Sequence, residues 1–79
     1  MSIRTYYVKA KSKKAINEDL AAGKKVYAED FSLFGNIGME LDLRKLNNGD
    51  VIKIYDKEVG GSPYAKAYGN WDAKKQRVK

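Results

Sequence analysis

The sequence predicts a small α+β domain in which one short helix packs on a curved, mostly antiparallel sheet of four to six strands. The sheet is either open or closed into part of a small barrel. Three observations predict this class. The 79 residues leave room for a single domain, residues 1–79, several short segments alternate apolar and polar residues, and one segment has helical spacing between two capping residues. Short connections between the segments favour antiparallel neighbours.

The helix is predicted over residues 13–22. Ser12 precedes it, and a serine hydroxyl at this position accepts a hydrogen bond from a free N–H of the first turn. Ile16 and Leu20 lie one turn apart and form an apolar face. Gly23 follows the last helical residue, where the lack of a Cβ permits the left-handed conformation that ends many helices. Caps and periodicity therefore predict the same helix.

The strands are predicted from period-two alternation and from the enrichment of β-branched and aromatic residues. They cover residues 3–11, 25–31, 39–43, 51–57 and 64–71, and residues 43–46 fit a single helical turn as well as a strand. Clusters of Gly, Asn, Ser and Pro predict turns at 35–38, 47–50 and 60–63. Residues 72–79 either add a last short strand or form a flexible basic tail.

The composition excludes several kinds of active site. The chain has no Cys and no His, which excludes disulfides, thiolate or imidazole metal ligands and Ser-His or Cys-His nucleophile pairs. No glycine-rich phosphate loop of the GxxxxGK[ST] kind is present. The acidic residues on either side of the 35–38 turn could hold Mg²⁺ or act as an acid–base pair, but alternating acids on strands more often form a solvated face; they are Glu29, Asp30, Glu40 and Asp42. We therefore expect a non-enzymatic protein without metal or cofactor.

The charge pattern points to an anionic partner. Sixteen Lys and Arg against ten Asp and Glu give a net charge of +6. Both ends of the chain are basic and the middle is acidic, so ends that lie together in the fold would form one positive face. No apolar run approaches the roughly eighteen residues of a membrane span, and no signal peptide opens the chain. We expect a cytoplasmic protein without a membrane partner.

The strongest candidate for a binding surface lies near the end of the chain. In a strand over 64–71, Tyr64, Lys66 and Tyr68 project to the same side, about 7 Å apart, while Ala65 and Ala67 face the other way. Aromatic rings stack on bases and ammonium groups bind phosphates, so this pattern predicts nucleic-acid binding and has the chemistry that a single-stranded nucleic acid needs. The other residues predicted for this surface are Trp71, Lys74, Lys75, Arg77, Lys11 and Lys13.

Two other interpretations remain open from the sequence. Exposed Tyr and Lys on a strand also support cross-strand pairs and protect a sheet edge. Phe34 and Ile37 fall near a predicted turn, where they either complete the core or anchor a protein partner. In the second case the chain is a small inhibitor or regulator, of the kind that phages and other mobile elements encode, which docks on an acidic protein surface or blocks a nucleic-acid channel.

Overall fold

The computed structural model describes residues 3–30, 39–59 and 62–79. In this part of the chain, one helix packs with a curled six-stranded mixed sheet that forms a half-barrel, which confirms the predicted α+β class. In chain order the elements are β1 (Thr5–Lys9), α1 (Lys13–Ala21), β2 (Tyr27–Asp30), β3 (Met39–Asp42), a 3₁₀ turn (Leu43–Lys45), β4 (Val51–Val59), β5 (Ser62–Asp72) and β6 (Arg77–Val78).

The strand order is β3-β2-β1-β4-β5-β6, and its central pair is parallel. Tyr7 of β1 lies opposite Lys53 of β4, and Val8 lies opposite Ile54. Each of the other strand pairs among the described residues is antiparallel, as the short connections predicted. The parallel pair is the exception because α1, β2 and β3 separate β1 from β4 along the chain and carry it back to the same end of the sheet.

Both predicted helix caps are present. The Ser12 hydroxyl accepts a hydrogen bond of 3.1 Å from the Ala15 N–H. At the other end Gly23 has a φ of +81°, and its N–H donates to the Leu20 carbonyl while the next N–H donates to the Asp19 carbonyl. These two hydrogen bonds close the last turn of the helix. Ile16 and Leu20 are buried, so the predicted apolar face is the one that packs on the sheet.

The core lies between α1 and the concave face of the sheet. Trp71 is its largest side chain and is only 1% exposed. The alternation in β4 places Ile52 and Ile54 in this core. Val8 from β1 and the aliphatic side chains that follow β3 also belong to the core. Burial of each such side chain contributes on the order of 1.5–3 kcal/mol to the free energy of folding. Remaining core members are Tyr6, Ile16, Leu20, Ala28, Leu43, Leu46 and Val78.

The predicted turn at 47–50 is held by a buried carboxylate. Asp50 is almost fully buried, and its two oxygens accept different main-chain N–H groups: Oδ1 from Arg4 at 3.1 Å and Oδ2 from Asn47 at 3.0 Å. Neighbouring main-chain groups form hydrogen bonds to the strands on both sides of β4. The Val51 N–H donates to the Arg4 carbonyl, and the Trp71 N–H donates to the Asp50 carbonyl. Asp50 thus joins β1, β4 and β5 at one end of the sheet.

Several predicted boundaries need correction. The first two strands are shorter than predicted and cover 5–9 and 27–30, whereas the hairpin strands are longer and cover 51–59 and 62–72. Ser62 and Pro63 belong to β5 and not to the turn. Residues 43–45 form a 3₁₀ turn, and 77–78 form a short strand, so in both places the structure selects one of the two open alternatives. The turn predicted at 35–38 lies outside the described residues.

The helical content of the described residues is small. α1 has nine residues and carries several charges. No helix in the described ranges has the length and apolar character needed to cross a bilayer.

Replacement of Asp50 tests whether its carboxylate holds the end of the sheet. Asn is nearly isosteric, but its amide group has one oxygen, so one of the two N–H donors would face an NH₂ group. We expect Asp50→Asn to lower the free energy of unfolding by about 1.5–3 kcal/mol, as for a lost hydrogen bond to a charged group. Urea unfolding followed by fluorescence of Trp71, the only tryptophan of the chain, measures this change.

Asp19→Asn is the matched control for this substitution. It removes the same charge from an exposed carboxylate whose ion pair with Lys24 is long, at 3.9 Å, and such pairs contribute little. Equal unfolding curves for the two variants would contradict the role given to Asp50.

Candidate nucleic-acid interface

The convex face of β5 presents Tyr68, which is 59% exposed. Tyr64, at 58%, and Lys66 are exposed on the same strand. Ala67 turns the other way and packs against the core. The register of β5 against β4 shifts at this point, because Ile54 pairs with Ala67 and Tyr55 with Ala65, which leaves Lys66 as an additional residue.

A row of three side chains crosses the centre of this face. Tyr7, Lys53 and Tyr68 occupy directly opposite positions on β1, β4 and β5. The Lys53 ammonium lies 5.7 Å from the ring centroid of Tyr7 and 5.6 Å from that of Tyr68. Each such cation–π contact contributes about 0.5–1 kcal/mol at an exposed site. The row therefore holds a positive charge between two aromatic rings on a rigid, central part of the sheet.

A second aromatic–lysine pair lies farther along the β4–β5 hairpin. The Lys57 ammonium is 5.5 Å from the ring centroid of Tyr64. Tyr7, Lys53, Lys57, Tyr64 and Tyr68 together are called the aromatic–lysine face below.

Lys66 is at the same surface but is already paired. Its ammonium donates to Asp56 Oδ2 at 2.7 Å, and this hydrogen bond lowers the pKa of the Asp56 carboxyl. Asp56 therefore remains ionised near neutral pH. Of the lysines near the tyrosines, Lys53 and Lys57 are consequently better placed than Lys66 to receive a phosphate.

The part of the convex face that β2 and β3 form is acidic. Glu29 of β2 lies opposite Tyr7 and also opposite Glu40 of β3. Tyr55, which is 1% exposed, donates its hydroxyl hydrogen to Glu29 Oε2 at 2.8 Å and sets its ring edge against Tyr7 at 6.3 Å between centroids. Within the described residues, no three acidic side chains are grouped so as to hold a metal ion.

The remaining predicted residues are divided between three other places. Trp71 lies in the core, where its ring has no surface for a base, so we remove it from the predicted interface. Lys11 and Lys74 are exposed in the connections before α1 and before β6. Lys13, Lys75 and Arg77 line an open groove of about 720 Å³ between α1, the 3₁₀ turn and the β5–β6 connection. The predicted surface is thus not continuous.

This groove, called the basic groove below, brings together the two basic ends of the chain. The lining of the groove contains one acidic side chain, Glu18, and six cationic side chains: Lys13, Lys14, Arg44, Lys75, Arg77 and Lys79. Lys13 and Lys14 stand in the first turn of α1, where the peptide dipoles add further positive potential.

Two of the cationic side chains in the groove, Arg44 and Lys79, interact with other groups of the same chain. Arg44 donates to the Leu20 carbonyl at 2.9 Å and to the Lys24 carbonyl at 3.2 Å. The Lys79 ammonium lies 3.5 Å from Asp72 Oδ2. A hydrogen bond from the Lys75 main-chain N–H, together with the Lys79 charge, lowers the pKa of the Asp72 carboxyl. Asp72 is therefore an anion that offsets one of the six cations.

Sequence reasoning missed Tyr7, Lys53 and Lys57. Each lies on a predicted strand, but alternation along one strand does not reveal which other strand lies beside it. The signal for Trp71 was present, because Trp71 shares the odd-numbered positions of Ala67, which packs against the core. Phe34 and Ile37, the predicted anchors for a protein partner, lie outside the described residues, so that prediction is untested.

The chain matches no known protein family, and no curated protein or solved structure is significantly similar to it.

The Tyr55 hydroxyl predicts a specific pH dependence of stability. Burial raises its pKa above the ordinary value, and the hydrogen bond to Glu29 and the charges of Glu29 and Glu58 act in the same direction. Above pH 10 the unfolded hydroxyl ionises while the folded one stays protonated, so stability decreases as pH rises, by up to about 1.4 kcal/mol per pH unit. Tyr55→Phe removes this contribution because phenylalanine has no proton to lose.

Urea unfolding of the wild type and of Tyr55→Phe at pH 8 and pH 11 measures this effect. The advantage of the wild type over the variant should shrink by about 1 kcal/mol between the two pH values. All other titrating groups are common to both proteins and cancel in the difference. An advantage that stays constant or grows would show that the Tyr55 hydroxyl is not protected from ionisation.

Proposed function

We propose that this chain is a non-enzymatic binding module for single-stranded nucleic acid, and that the strand lies along the aromatic–lysine face. The observation that carries the proposal is the row of Tyr7, Lys53 and Tyr68 across three adjacent strands, with the pair of Tyr64 and Lys57 farther along the β4–β5 hairpin. The proposal places this binding in the cytoplasm, in keeping with a basic, cysteine-free chain.

The chemistry of this face fits a single strand better than a duplex. Tyr64 and Tyr68 are four residues apart on β5, about 13 Å along the strand, so their rings would receive different bases. Bases expose their ring faces for such stacking only when they are unpaired. Lys53 and Lys57 lie beside these rings, where they can meet the phosphates that flank a stacked base. Affinity then comes from stacking and from charge together.

The acidic side of the convex face would restrict where the strand lies. Glu29 and Glu40 repel phosphates from β2 and β3, whereas the lysines attract them to β4 and β5. Tyr27 illustrates the difference, because it is 48% exposed on the same face as Glu29 but stands on the acidic side. An exposed ring alone is thus not expected to bind a base here.

Tyr68→Ala tests the stacking contribution. We expect it to weaken binding of a fluorescent oligothymidylate by about 1–3 kcal/mol, or roughly 5- to 150-fold, with little change in salt dependence. Tyr68→Phe keeps the ring and should bind nearly as the wild type does. Tyr27→Ala is the matched control and should leave the affinity unchanged. Fluorescence anisotropy at several salt concentrations gives these values, with thermal melts to confirm that each variant is folded.

A double substitution, Lys53→Ala with Lys57→Ala, tests the phosphate contribution. Loss of two phosphate contacts should reduce the slope of log affinity against log salt by about 1.4, since each contact to a single strand contributes about 0.7. Lys24→Ala with Lys25→Ala removes two charges away from this face and serves as the control. Binding that depends on charge alone, with no difference between Tyr68→Ala and Tyr27→Ala, would reject the proposed function in favour of a protein partner.

A further inference from the structure

The basic groove lies apart from the aromatic–lysine face. None of the five residues of that face lines the groove. In β5 the side chain of Ala67 packs against the core, so that of Tyr68 points to the other face of the sheet. The groove is bordered by α1, the helix that covers the core side of the sheet. A strand held on Tyr68 therefore lies on the opposite face of the sheet from the groove.

The groove is a preformed feature of the fold. The Asn17 side chain binds the main chain of Val78 with two hydrogen bonds of 2.8 Å, one as donor and one as acceptor. Lys13 donates to the Lys79 carbonyl at 3.1 Å. Gly69 allows this close approach, because a Cβ there would lie 2.5 Å from Val78 Cγ1 and 2.6 Å from the Lys79 oxygen. α1 and β6 are thus joined by side-chain bonds before any partner arrives.

Three of the cations in the groove make no side-chain hydrogen bond or ion pair within the described residues. They are Lys14, Lys75 and Arg77, and all three are exposed. Like charges that share a concave surface with an apolar base focus the electrostatic potential into it. The base is formed in part by Leu20 and Val78, which lie in the lining but are almost fully covered by the protein itself.

The groove offers charge rather than apolar anchoring. An acidic peptide usually gains affinity from an apolar or aromatic side chain buried at the centre of the interface, and the covered Leu20 and Val78 provide little surface for one. A phosphate backbone needs only cations at suitable spacing, and the guanidinium of Arg77 can bind a phosphate through two parallel hydrogen bonds.

We infer that the basic groove is a second nucleic-acid site, which binds the phosphate backbone of a further strand, so that one copy of this chain holds two strands. This inference rests on the proposed function for the first strand. The groove site depends on charge and not on base identity, whereas the aromatic–lysine face depends on both stacking and charge. Such a domain would bring two strands together.

The stoichiometry of binding tests this inference. A ten-nucleotide oligothymidylate is titrated calorimetrically into the wild type at low salt, and two strands should bind per protein chain. A second experiment mixes donor-labelled and acceptor-labelled copies of the same oligonucleotide. Energy transfer should rise as protein is added and fall again when excess protein separates the strands.

Two triple variants with equal loss of charge locate the second strand. Lys14→Ala with Lys75→Ala and Arg77→Ala should bind one strand, lose energy transfer and keep the affinity of the remaining site within about twofold. The substitution at Lys75 leaves intact the main-chain N–H that bonds to Asp72. The control combines Lys24→Ala, Lys25→Ala and Lys45→Ala, which lie outside the groove lining, and should still bind two strands.

Three results would overturn the inference. Binding of one strand per wild-type chain, with an affinity that both the groove variant and Tyr68→Ala lower, would mean that the two surfaces form one continuous site. One strand that responds to Tyr68→Ala but not to the groove variant would leave the proposed function standing and remove the second site. Displacement of the groove-bound strand at lower concentration by a ten-residue oligoglutamate than by the unlabelled oligonucleotide would assign the groove to an acidic peptide. Absence of any oligonucleotide binding would instead reject the proposed function itself.

Discussion

The buried Asp50 carboxylate is the interaction on which the arrangement of the sheet depends. Its two oxygens bind the main chain before β1 and the turn before β4, and the peptide groups around it bond to β5. These contacts set the alignment of three strands at one end. Tyr7, Lys53 and Tyr68 fall into one row only in that register, because a shift by one residue would turn a side chain to the opposite face of the sheet. The candidate interface therefore depends on a carboxylate that lies outside it.

The same strand order also explains the basic groove. α1 follows β1 and returns over the sheet toward β5 and β6, so the basic residues at the start of the chain meet those at its end. Asn17 takes the place of a further strand against Val78, since its amide donates and accepts as a peptide group does. Gly69 provides the space that this packing needs. Two residues without charge thus bring the charged residues of both ends together.

Local features of the fold could be predicted from the sequence, and long-range pairings could not. Ser12 and Gly23 act through hydrogen bonds within a few residues, so their sequence positions suffice to predict the helix ends. The parallel pairing of β1 with β4 joins residues more than forty positions apart, and period-two alternation gives the face of a residue but not its neighbour on the next strand. For this reason Tyr64 and Tyr68 were found in the sequence, whereas Tyr7 and Lys53, which complete the row, required the sheet order.

The charge distribution opposes stability in the places where binding is proposed. Lysines in the first turn of α1 lie against the positive end of the helix dipole, where acidic residues would stabilise the helix by about 0.3–1 kcal/mol each. Lys14, Lys75 and Arg77 repel one another across the groove, while acidic residues of the chain are placed opposite each other on β2 and β3, as Glu29 and Glu40 are. Exchange of charges between these regions would relieve both repulsions without change to the core. Unpaired cations keep their attraction for an anionic partner only when no carboxylate of the same chain neutralises them. A surface that binds an anion is therefore expected to separate positive from negative side chains, even though this separation lowers the folding stability.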